Sequence, residues 1–143
     1  MDRRSVLLMG LATTAGASGA LLIPSGAQAA GKIDPLSSPL AGGLYYTKQK
    51  PGRWAKKAGG HVPRIVRLGG KVRVTTPHPM SGFKHYIVKH MILDEEFRYV
   101  SETLFNPASD KPVSEYDAGK LTGVVYAVSM CNLHDVWLSA VKV

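Results

Sequence analysis

Cysteine is almost absent from this chain: Cys131 is the one thiol among 143 residues, so no internal disulfide can form. A lone thiol in an oxidising compartment is a liability unless it is buried or bound to metal, which favours a ligand role for it. A helical stripe is also missing, since no stretch carries apolar residues at helical spacing, and neither an internal repeat nor a low-complexity segment stands out beyond the N-terminus. Acidic residues are few, with 10 Asp and Glu against 18 Lys and Arg and a formal net charge of +8. No basic stripe is interleaved with aromatics, which make up only 8% of the chain, and this argues against nucleic acid as a partner. The charge is better suited to steering small anions or acidic protein partners.

The N-terminus reads as an export signal. Arg3 and Arg4 precede an apolar run rich in Ala, Gly and Thr that ends near Ile23, and Ala27-Gln28-Ala29 fits a small-residue cleavage site. Paired arginines before so diluted an apolar stretch favour the twin-arginine route, which carries folded proteins and so allows a metal to be loaded before export. Gly, Ser and Pro24 interrupt a segment that would need about 20 apolar residues to span a bilayer, so a permanent anchor is the weaker reading. Residues 1–29 are therefore expected to be the signal, the mature protein to be periplasmic and to have no stable membrane association. Losing Asp2, Arg3 and Arg4 lowers the formal charge by one unit, so the mature chain stays basic.

Residues 30–58 are expected to form an irregular arm lying on the domain, because Pro35, Pro39, Gly42, Gly43 and Pro51 break any period. A basic cluster of Lys48, Lys50, Arg53, Lys56 and Lys57 surrounds Trp54. Gly59-Gly60-His61-Val62-Pro63 reads as a tight turn, followed by a short strand Arg64–Leu68 and a half-buried strand Lys71–Thr75 that alternates charged and β-branched residues. Pro77 and Pro79 force His78 into a loop. His85–Leu93 and the stretch from Phe97 to Phe105 read as further strands, and Val124–Met130 as another. Short strands punctuated by Gly and Pro predict an all-β domain over residues 59–143, an immunoglobulin-like antiparallel β-sandwich.

The chemistry concentrates in Cys131-Asn132-Leu133-His134-Asp135-Val136-Trp137. A thiolate and an imidazole three residues apart, where a strand gives way to a turn, can reach one metal ion. The other candidate ligands are His61, His78, His85 and His90; the first three lie at strand ends or in loops, whereas His90 sits mid-strand and is expected on the sheet surface. Four neutral imidazoles with a thiolate at the axial position make a square-pyramidal site with one open face, a set that suits a redox metal, iron above all, better than tetrahedral zinc.

These residues resemble a known family. Tyr126 to Trp137, reading YAVSMCNLHDVW, is similar to the C-terminal iron-binding signature of the superoxide reductases, the desulfoferrodoxin and neelaredoxin family. His78-Pro79-Met80 with His85-Tyr86-Ile87 resembles its second signature, and His61-Val62-Pro63 its first. The resemblance covers roughly residues 59 to 143 in the right order. It implies one mononuclear iron per chain held by His61, His78, His85 and His134 with Cys131 as axial thiolate, and a one-electron, two-proton reduction of superoxide to hydrogen peroxide. It also implies that the thiolate, opposite the open position, pushes electron density toward the site so that product leaves, and that N–H groups of Leu133 and His134 tune the sulfur. The absence of a cysteine-rich second domain matches the one-iron, neelaredoxin-like branch. The electron donor is an unidentified periplasmic partner such as a small cytochrome, and a homo-oligomer is left open.

Three departures from the family pattern bear on function. Gly59-Gly60 replaces the usual Glu-Lys before the first ligand, removing a cation that attracts superoxide; Lys56 or Lys57 is a candidate replacement. One extra residue separates His78 from His85. Asp135 stands where the family has glycine, and its charge is expected to lower the potential of the site and to repel an anion. Two alternatives follow: an iron protein on the same scaffold that handles electrons or iron without turnover, and an interaction module of a periplasmic assembly.

Overall fold

The structure is a computed structural model that describes residues 34–143. The export signal expected at residues 1–29 and the first residues of the arm lie outside the described residues. Seven strands follow in chain order: β1 (Arg64–Leu68), β2 (Lys71–Thr75), β3 (Ile87–Leu93), β4 (Tyr99–Leu104), β5 (Val113–Asp117), β6 (Val124–Cys131) and β7 (Asp135–Lys142). They form two sheets ordered β1-β2-β5 and β4-β3-β6-β7 with every neighbouring pair antiparallel, the all-β sandwich expected.

Alternation along the strands builds the core. In β2, Val72 and Val74 are fully buried while Lys71 and Arg73 face solvent. They meet Ile92 of β3, Tyr116 of β5 and Val125 and Ala127 of β6 between the sheets. Each such aliphatic side chain contributes about 1.5–3 kcal/mol on burial. β6 is buried on both faces, because Tyr126 and Val128 on its outer side pack with Leu138 and with Leu36 and Tyr45 of the arm. The arm also blunts the edge of β7: the Tyr46 N–H donates to the Val136 carbonyl at 2.8 Å, and the Leu138 N–H donates to Tyr46 at 2.8 Å.

Several expectations are corrected. Gly59-Gly60-His61 is not a tight turn but the end of a short helix, α1 (Ala58–His61), entered from a 3-10 stretch Gly52–Lys57. The Val62 N–H closes the last turn on the Ala58 carbonyl, and Pro63 stops the helix. So short a segment shows no apolar stripe, which is why it reads as irregular. The strand expected from Phe97 begins at Tyr99, since the Asp94 carboxylate accepts from the Glu96 and Arg98 N–H groups and prolongs the turn. β5 and β7 carry no simple apolar alternation; in β5 the buried positions include Ser114 and the exposed ones Val113.

His90 does not face the sheet surface. It is fully buried between the sheets, with Nε2 at 2.8 Å from Thr76 Oγ1 and Nδ1 at 2.8 Å from Ser114 Oγ, while Thr76 Oγ1 also meets Ser129 Oγ at 2.8 Å. Two hydroxyl side chains supply the partners that a buried imidazole requires, and that is what lets it lie in the core. Burial pushes its pKa down to about 4. Because the folded value lies below the ordinary 6.5, the unfolded chain takes up this proton first. The contribution to stability is therefore whole above the ordinary value and is lost as pH falls toward the folded one, by about 3 kcal/mol in total. His61 acts in the same direction in metal-free protein. Urea unfolding of the metal-free protein at neutral and mildly acidic pH will show a smaller acid loss of stability in His90→Gln than in wild type, on a lower stability at neutral pH.

Candidate metal centre

Five side chains from four separate segments converge at one end of the sandwich. His61 ends α1; His78 lies in the proline-flanked loop after β2; His85 follows the 3-10 turn Gly82–Lys84; Cys131 ends β6; His134 lies in the β6–β7 hairpin. One ligand-capable atom from each lies within 4.8 Å of all the others. The imidazole nitrogens form a chain of close contacts: His61 Nε2 to His134 Nδ1 at 3.0 Å, His134 Nδ1 to His85 Nε2 at 3.1 Å, and His85 Nε2 to His78 Nε2 at 3.0 Å. Cys131 Sγ lies 3.5 Å from His134 Nδ1 and 3.9 Å from His78 Nε2.

This spacing fits a single metal better than a set of hydrogen bonds. Two nitrogens at right angles around one first-row metal, each about 2.1 Å from it, stand about 3 Å apart. His61 Nδ1 lies 2.8 Å from the Lys57 carbonyl, which can only accept, so Nδ1 carries the proton and Nε2 presents a lone pair inward. Burial pushes the His61 pKa down to about 4 and also lowers those of His78 and His134, with the neighbouring histidines adding to it. Neutral imidazoles at physiological pH are the form that binds metal. His61, His78, Cys131 and His134 are buried and His85 is half-buried. A donor set of four nitrogens and one sulfur is that of a redox-active transition metal.

Residues that sequence reasoning passed over hold the ligands in place. Asn132 ties two ligand segments together: its Oδ1 accepts the Tyr86 N–H at 2.9 Å, and its Nδ2 donates to the Lys84 carbonyl at 3.1 Å. The fully buried Trp137 donates its indole N–H to the His134 carbonyl at 2.8 Å. Ile87, Phe105 and Met80 wall in the sulfur. A polar residue inside the hairpin was the available signal for Asn132. Among the described residues the polar atoms near Cys131 Sγ are His134 Nδ1, His78 Nε2 and Asn132 Oδ1; the expected Leu133 and His134 N–H donors are not among them.

Asp135 has φ of 61°, the left-handed region that glycine favours. Its carboxylate accepts the Trp54 indole N–H at 2.8 Å and pairs with Arg53, and these two donors hold its pKa below the usual carboxylate value. It is thus not the free negative charge that was expected to repel an anion. Lys56 and Lys57 are both exposed on the Gly52–Lys57 turn; of the two, Lys57 is close enough for its charge to lower the pKa values of His78 and His134.

No family model matches the sequence, and no curated protein matches it. Solved structures do match. A superoxide reductase (neelaredoxin) from Ignicoccus hospitalis is 29% identical with a TM-score of 0.59, over 70% of this chain and 94% of that one. A variant of the same protein is 27% identical with a TM-score of 0.62, over 70% of this chain and 93% of that one. The fold is that of superoxide reductases. The one-iron superoxide reductase of Giardia intestinalis shares it at 24% identity and a TM-score of 0.53, over 59% of this chain and 98% of that one.

The backbone at position 135 yields a direct check. Asp135→Val, which places a β-branched residue in the left-handed region, will lower stability by about 1–2 kcal/mol more than Asp135→Gly in urea unfolding of the metal-free protein.

Proposed function

We propose that the protein is a superoxide reductase: it reduces superoxide by one electron, with two protons, to hydrogen peroxide, using one iron held by His61, His78, His85, His134 and Cys131. The observation that carries this reading is the convergence of four imidazole nitrogens and one thiol sulfur within 4.8 Å, on a fold shared with superoxide reductases. Those five residues would hold iron there, and its ferrous and ferric states would supply the one-electron chemistry. Everything else falls to the chain.

His61, His78 and His134, kept neutral by burial, would hold the metal without adding negative charge that would oppose an incoming anion. Cys131 brings the one negative ligand, sheltered by Ile87, Phe105 and Met80 from water and oxidant. Exposed Lys56, Lys57 and Lys84 lie on the segments that carry His61 and His85. Cationic side chains there draw a small anion toward the histidines. Lys57, whose carbonyl lies 2.8 Å from His61 Nδ1 and whose side chain is exposed, takes the place of the cation missing at Gly60. The Arg3-Arg4 signal points to the periplasm as the place of action, with an exported redox protein as electron donor. The non-catalytic iron reading rests on Gly59-Gly60, and turnover separates the two.

Anaerobic reconstitution will give one iron per chain. Oxidation will then produce a thiolate-to-ferric charge-transfer band in the red that Cys131→Ser lacks; no stoichiometric iron and no band would overturn the reading. In stopped-flow measurements, Lys57→Ala will lower the second-order rate constant with superoxide about tenfold and flatten its dependence on salt. Iron binding without any reaction with superoxide would leave the non-catalytic reading instead.

A further inference from the structure

Asp135 makes a connection that the metal ligands by themselves do not require. Its backbone needs are met by glycine at no steric cost, so what aspartate adds is the carboxylate. That carboxylate reaches 81 residues back along the chain, where Oδ2 accepts from Trp54 Nε1 and from the adjacent Arg53. The Trp54 ring stands edge-on to the His134 ring with centroids 4.7 Å apart, and the Arg53 guanidinium lies 5.0 Å over the Trp54 ring. Three residues on, the same turn ends at Lys57, whose carbonyl lies 2.8 Å from His61 Nδ1 and fixes its tautomer. Between Lys57 and His61 the chain has only Ala58, Gly59 and Gly60, and a side chain at Gly59 would meet no atom within 4 Å.

The geometry points to Asp135 as a positioning residue: by holding Trp54 and Arg53 it fixes the Gly52–Lys57 turn against His134 and so keeps Lys57, whose carbonyl holds His61, beside the metal site. This rests on the function proposed above. An exposed ion pair contributes little to stability by itself, so the effect lies in direction. Two neighbouring residues donate to one oxygen, and an aromatic ring is thereby set against a ligand. Lys57 ends that turn four residues before the first ligand histidine, and the carboxylate beside the last ligand is what keeps the turn in register.

The test uses Asp135→Gly, Asp135→Asn, Lys57→Ala and the Asp135→Gly/Lys57→Ala double variant of the full chain. In metal-free protein, the emission of Trp54, isolated by subtracting that of Trp54→Phe, will shift to the red in Asp135→Gly and become more open to acrylamide quenching. Asp135→Asn, which keeps an acceptor oxygen for the indole N–H, will restore part of both. In iron-loaded protein, Asp135→Gly will keep the charge-transfer band and one iron per chain, yet lose about as much of the rate with superoxide as Lys57→Ala. The double variant will lose no more than either single one, because residues acting as one unit do not add. Unchanged Trp54 emission in Asp135→Gly, or rate losses that multiply in the double variant, would overturn the proposal. If the iron-loaded wild type does not react with superoxide, the proposed function fails, and the emission of Trp54 alone then decides whether Asp135 holds the turn.

Discussion

Four imidazoles and a thiol crowded within 4.8 Å of one another are the constraint on which the rest of the molecule depends. Such groups satisfy one another poorly, and unpaired polar atoms in a dry interior carry a desolvation cost of a few kcal/mol each. Only a framework that is rigid for other reasons can hold them together until a metal satisfies them. The two-sheet core, with Val72, Val74, Ile92, Val125 and Ala127 fully enclosed, is that framework.

The ligands sit where strands end, and each end is fastened by a different device. Prolines on both sides remove helix and ladder pairing as options for His78. A helical i to i−4 contact with the Lys57 carbonyl orients His61. Asn132 pins the segment carrying His85 to the hairpin carrying Cys131 and His134, and Trp137 anchors that hairpin from beneath. His90 shows the opposite solution to burying an imidazole. Hydroxyl groups of Thr76 and Ser114 satisfy both of its nitrogens, so it belongs to the core while the four other imidazoles and the thiol remain available to a metal.

The N-terminal arm changes meaning once the fold is seen. It reads as irregular covering, and it does cover the outer face of β6 and the edge of β7. Its Gly52–Lys57 turn, however, is part of the site: Trp54 stands against His134, and Lys57 holds His61. The electrostatic expectation for Asp135 is inverted for the same reason, because a charge that looks free in the sequence is paired with Arg53 from the arm.

The sequence by itself determined the elements whose signal is local. Alternation in Lys71–Thr75, prolines around His78 and the strand leading into Cys131 each act over a few residues, and the grouping of His61, His78, His85, Cys131 and His134 followed from turn chemistry and from motif resemblance. What tertiary structure decided are the contacts whose partners lie far apart in the chain. Whether His90 points to water or to Ser114 depends on β5 arriving beside it, and whether Asp135 repels or latches depends on Arg53 and Trp54 returning from more than eighty residues away. Local propensity carries no information about such partners, since they exist only after the sheets have packed and the arm has closed over them.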